Sequence, residues 1–175
     1  MRRTSILVAA VAAGVLTLSS SREAHALGPV DLEIAAKAGY ATNPSSGSTN
    51  PLGVGLGGRA GVSFFGFYGG VGIIDYLGAN SEHALMYGFE AGYNWKIAIL
   101  TIRPQVGVGN ATFTAGSYNA SNLYIEPGLT GLVSLGMLFV GADANLLVLP
   151  NINEGNNNKG TETAFTLHGQ VGVRF

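Results

Sequence analysis

The 175-residue chain contains no cysteine, so no disulfide framework can hold it together. Charge is scarce as well: Asp, Glu, Lys and Arg make up only 11% of the residues, about half of what soluble domains carry. There is no clustered basic stripe, which argues against a nucleic-acid partner. After residue 27 no apolar run approaches the ~20 residues that a membrane-crossing helix needs. Yet hydrophobic residues reach 47%, and glycine occurs 27 times. High hydrophobicity broken into short alternating segments is the signature of a membrane β-barrel, whose lumen-facing residues dilute the signal of each strand.

The first residues read as an export signal. Arg2 and Arg3 are followed by an apolar stretch from Ile6 to Leu18, and Ala24-His25-Ala26 forms a small-x-small cleavage site. The expected domain organisation is a signal peptide over residues 1–26 and one barrel domain over 27–175. The latter carries six Lys/Arg against nine Asp/Glu.

Period-two alternation with turn punctuation predicts eight strands, at 29–42, 51–64, 67–78, 83–95, 97–110, 121–134, 137–149 and 163–175. Connections after the odd strands are polar and mostly long: 43–50, 79–82, 111–120 and 150–162. Those after the even strands are tight: Phe65-Gly66, a turn around Trp95-Lys96, and Leu135-Gly136. This bias predicts an eight-stranded antiparallel up-and-down transmembrane β-barrel, with long loops outside and both termini periplasmic. The run Val71-Gly-Ile-Ile-Asp75 fits neither strand face cleanly, and a bulge there would shift the register.

The alternation also separates two faces. Asp31, Glu33, Lys37, Arg59, Glu90, Arg103, Gln105, Glu126, Asp143, Asn145, His168, Gln170 and Arg174 share the polar face. Both signs of charge are present, so inside a narrow barrel they can neutralise one another. On a lipid face each Arg or Lys would cost ~2–4 kcal/mol at the midplane. Aromatic residues fall into two belts. Phe64, Phe65, Phe67, Tyr68, Tyr93, Trp95, Phe139 and Phe175 lie near the short turns; Tyr40, Tyr76, Tyr87, Phe113, Tyr124 and Phe165 lie near the long loops. Phe165 to Phe175 spans roughly 33 Å of strand, about 25 Å along the membrane normal at the usual tilt. Tyr124, and with it Tyr68 or Tyr76, can instead turn inward or sit at the rim.

Few motifs suggest chemistry. Gly53 to Gly58 satisfies a dinucleotide-type G-x-G-x-x-G, but no helix or βαβ unit surrounds it; missing side chains in a narrow lumen beside Arg59 explain it better. Ser81-Glu82-His83 groups a nucleophile, an acid and a base at the outer edge of strand four, where a lipid esterase could act. Neighbouring residues in a strand point apart, and the mutual geometry is unspecified. His168 has no second ligand at metal spacing and reads as a hydrogen-bonding group. Residues 151–158 resemble a calcium loop only faintly, lacking the terminal bidentate Glu. No cofactor or metal is expected.

The export signal, eight alternating strands, aromatic belts and terminal Phe175 together resemble the OmpA/OmpX-type small outer-membrane barrels across the whole mature chain. That resemblance implies a Gram-negative outer-membrane location and a non-enzymatic structural or surface-interaction role. It implies outer-membrane lipids and the barrel assembly machinery as partners, with Leu167, Val171, Val173 and Phe175 as the assembly signal. Val173 stands where many members have another aromatic. A chain ending at the last strand is expected to lack the peptidoglycan-binding domain of larger members, to be a monomer, and to meet any extracellular ligand through its loops. A narrow passive pore is the alternative role, and lipid A hydrolysis a third.

Overall fold

A computed structural model describes residues 30–44, 50–79, 82–115, 118–150, 153–154, 157–158 and 160–175. The signal segment and Ser81 lie outside these residues. Eight strands form the wall: β1 Val30–Ala41, β2 Gly53–Phe64, β3 Phe67–Leu77, β4 His83–Tyr93, β5 Leu100–Ala115, β6 Tyr118–Leu135, β7 Leu138–Leu149 and β8 Glu162–Arg174. Every neighbour pair is antiparallel, and β1 pairs with β8, so the sheet closes on itself. Closure leaves no free sheet edge around the ring, which is the condition for crossing a bilayer with strands. The terminal residue joins that seam: Phe175 and Leu32 exchange backbone N–H···O bonds of 2.9 and 3.0 Å.

Strand alternation decides what faces out. Leu32, Ile34, Val54, Leu56, Val71, Phe89, Val108, Leu129, Val140 and Leu167 are all exposed, while Glu33, Arg59, Arg103, Asp143 and His168 are buried. A soluble barrel would reverse this order. An apolar exterior around an ionic interior is what hydrocarbon requires and water penalises.

Several strand limits differ from the sequence expectation. Residues 111–120 are largely strand, not loop: β5 and β6 run on to Ala115 and Tyr118 as one long hairpin. Here the polarity of the two faces is reversed, with Thr112, Thr114, Asn119 and Ser121 outward and Ala111 and Phe113 inward, so the segment reads as loop. The turn expected around Trp95-Lys96 falls later, because Trp95–Ile97 continues the line of β4 and pairs with β5. Chain reversal occurs at Ala98, whose φ is 53°. Only Asn94 interrupts the strand, next to the point where Pro104 offers no N–H. β3 carries no bulge, since its pairing runs unbroken from Phe67 to Leu77 against both neighbours. Ile73 and Asp75 consequently share the outer face, and Ile74 turns inward.

Candidate functional site: the barrel lumen

The inward residues build three tiers. Nearest the short turns, Glu33 on β1 meets three arginines from three other strands. Arg103 Nη2 donates to both carboxylate oxygens at 2.6 and 2.8 Å, Arg59 Nη2 to one at 3.3 Å, and Arg174 through Nε and Nη2 at 3.1 and 2.7 Å. Asn94 steadies Arg103 by accepting from its Nε at 2.5 Å and donating to Ser63 at 2.8 Å. The Tyr68 ring lies 3.7 Å beneath the Arg103 guanidinium and 5.3 Å from that of Arg59.

The middle tier is centred on Asp143. Lys37 Nζ lies 3.2 Å from Asp143 and 3.9 Å from Glu90, and Arg59 approaches Glu90 at 3.6 Å. His168 Nδ1 is 2.6 Å from Asp143, and its Nε2 is 2.6 Å from the Tyr76 hydroxyl. A carboxylate can only accept, so Nδ1 carries a proton toward Asp143; in the neutral ring Nε2 then accepts from Tyr76. Glu126 accepts from Thr166 at 2.8 Å and from Asn145 at 3.4 Å. Gln170 donates to Asp143 at 3.3 Å. Gln105 faces the lumen, and its Oε1 has no partner among the described residues.

The third tier, beneath the loop end, is apolar. Leu52, Tyr76, Met86, Leu147 and Leu149 pack into one buried cluster with four alanines and Tyr124, with Ile74 and Phe113 against it. Leu52 reaches this cluster from the connection after β1. Asn50 sets its course by donating to Ala41 O at 2.9 Å and accepting from the Leu52 N–H at 3.0 Å. Apolar closure of the mouth was not legible in the sequence. In Leu146-Leu-Val-Leu149 both strand faces are apolar, so no polarity contrast marks Leu147 and Leu149 as inward.

The charged and polar lumen residues read from the alternation take the inward face, but their setting differs. Asp31 sits at the rim and pairs with the exposed Lys96 at 2.6 Å. Glu33, Arg59, Arg103 and Arg174 converge, as do Lys37, Glu90, Asp143 and His168, with Glu126 linked through Asn145. The belt assignment needs correction. Phe139 lies wholly inside, packed with Ala35 and Leu132. Tyr68, Tyr76 and Tyr124 are also buried, an inward placement that the alternation had left open to them. Phe113 turns toward the apolar tier. Height along the strand placed these rings correctly, but parity decides the face: Phe139 is two steps from Gly141 and four from Asp143.

The β2 glycines Gly55 and Gly61 face tyrosine rings. A Cβ on Gly55 would sit 2.6 Å from the Tyr76 ring, and one on Gly61 would run into the Tyr68 ring. Their missing side chains make room for inward tyrosines.

His83 is on the outer face at the rim, 3.7 Å from Asp75. Its distance from Ser81 lies outside the described residues. No group of three His, Cys, Asp or Glu able to hold a metal occurs among the described residues.

No protein-family model and no curated protein matches the sequence. Solved structures do resemble the barrel. The N-terminal β-barrel domain of Pseudomonas aeruginosa OprF superposes with a TM-score of 0.58 at 16% identity, covering 83% of this chain and 97% of that one. Neisserial surface protein A gives 0.57 at 17% identity, covering 85% and 98%. The fold is that of the small eight-stranded outer-membrane β-barrels. A major outer membrane protein from Thermus thermophilus shares the outer-membrane barrel form at a TM-score of 0.51 and 12% identity, covering 83% and 99%. In an outer-membrane barrel of this size the interior is just wide enough for side chains to fill. The three tiers place buried side chains along its interior.

Proposed function

We propose that the chain is an integral outer-membrane protein with a plugged lumen, non-enzymatic, acting as a structural or surface-interacting element. The observation that supports this reading is the run of buried inward side chains, from the Glu33–Arg103 pair at one end to Leu52, Met86 and Leu147 at the other. Short turns after β2 and β6 and the longer connections after β1 and β7 support an orientation with both termini periplasmic. Outer-membrane lipids would then cover the apolar wall, the assembly machinery would read the β8 end, and an extracellular ligand would meet the connections and the β5–β6 hairpin.

Membrane residence is tested by detergent extraction combined with heat-modifiable gel mobility. Extraction by salt alone, or mobility unaffected by heating, would refute it. A narrow passive pore, the alternative, is tested by liposome swelling with small sugars; swelling at porin-like rates would replace the plugged reading. The lipid-hydrolase alternative predicts that Ser81→Ala and His83→Ala alter lipid A acylation. Unchanged acylation in both removes it.

A further inference from the structure

We propose that the arginine tier of the lumen binds a small inorganic anion of halide size, reached from the Arg174 end. The proposal goes beyond the plugged-barrel reading and stands on the balance of charge within one tier. Three guanidiniums, from Arg59, Arg103 and Arg174, share a single close carboxylate, Glu33. The next carboxylate, Glu90, lies 3.6 Å from Arg59 and is also claimed by Lys37 at 3.9 Å. Across the whole lumen, four cations and four carboxylates balance, but this tier alone holds an excess of positive charge.

Its donors are correspondingly under-used. Arg59 Nε and Arg103 Nη1 are buried and have no hydrogen-bond acceptor among the described residues, and Arg59 Nη1 has only the Glu90 carboxylate, 3.6 Å away. Both guanidiniums rest against the same Tyr68 ring and on the same carboxylate, so these donors belong to one small region. Buried cations with spare N–H groups are costly unless an acceptor meets them. A bound anion supplies both the missing acceptor and the missing charge.

Size and entry follow from the packing. The side chains of Arg59 and Arg103 are fully buried, with Tyr68 stacked at 3.7 Å and Asn94 and Ser63 alongside, so a phosphate or a carboxylic acid would require the ring to move. A single-atom anion requires the smallest displacement of that ring. Of the three arginines only Arg174 retains exposed side-chain surface, which places the entrance at the periplasmic rim.

Chloride is the probe. Chlorine NMR line widths are measured on the refolded full mature chain in non-ionic detergent, with sodium bromide as competitor. The expected result is a saturable excess width that bromide removes, that disappears on heat unfolding, and that Lys96→Gln retains because its cation lies on the rim. Arg59→Lys keeps the charge but loses the spare guanidinium donors, and should reduce the excess to the detergent blank. An excess no greater in folded than in unfolded wild type overturns the proposal, as does an equal excess in folded Arg59→Lys. Should Arg59→Lys fail to fold, Lys96→Gln decides: loss of the excess there puts the anion on the surface and overturns the site.

Discussion

Replacing Glu33 by alanine removes the one acceptor that two buried guanidiniums, of Arg59 and Arg103, and the partly buried one of Arg174 share. Five N–H···O contacts of 2.6 to 3.3 Å end on this carboxylate. Removing one partner of a buried ion pair typically costs about 3–5 kcal/mol, because the other is left charged and unpaired. Water entering from the Arg174 end relieves part of the strain, so the effects of three arginines do not add. The expected loss is therefore about 4 kcal/mol. Asp31→Ala is the matched control, on the same strand face one turn of the pleat away. Its partner Lys96 is exposed, and such a pair contributes ~0–1 kcal/mol. Urea unfolding of both variants in lipid vesicles, read as the fraction with folded gel mobility, gives the difference from the midpoints if the slopes agree. Losses within about 1 kcal/mol of each other would refute the claim that the arginine tier is organised by Glu33. A further variant, Glu33→Gln with Arg103→Met, should recover part of the loss, since it removes one of the three guanidiniums and keeps a side-chain carbonyl as acceptor for the other two.

Gly61→Val places a side chain where the Tyr68 ring lies and should destabilise the barrel by about 1–3 kcal/mol. Gly131→Ala meets nothing within 4 Å and should be neutral or slightly stabilising; the same urea series checks both. Deleting Phe175 should lower the outer-membrane level more than deleting residues 45–49, because Phe175 closes the β1–β8 seam through Leu32 as well as ending the proposed assembly signal. Equal levels by immunoblot of membrane fractions would count against that role.

How far the sequence revealed this arrangement depended on contrast between strand faces. Where charge opposes aliphatic residues, as in Asp31-Leu-Glu-Ile34 or His168-Gly-Gln-Val171, parity alone put the right side chains in the lumen. Where both faces are apolar, as at Leu147 and Leu149, the contrast vanished, and from Asn110 to Ser121 it reversed, with polar residues outward and Ala111 and Phe113 inward. The apolar closure and the long hairpin were missed for that reason. Lys96 was hidden for a different one: assigned to a turn, it was not seen as the counter-charge of Asp31. The tyrosines show a third limit. Tyr68 and Tyr76 have the height of belt residues, and only the glycines opposite, Gly61 and Gly55, hint that space exists for them inside. The convergence of three arginines on Glu33 could not be read at all, since it depends on the stagger between strands that parity does not specify.

The most direct test of the filled lumen is single-channel recording on the refolded barrel in planar bilayers. The tiers of Glu33, Asp143 and Leu52 predict no stable, long-lived conductance step at moderate voltage, only a quiet baseline with rare brief events. Large steps of uniform size that persist for seconds would contradict the account.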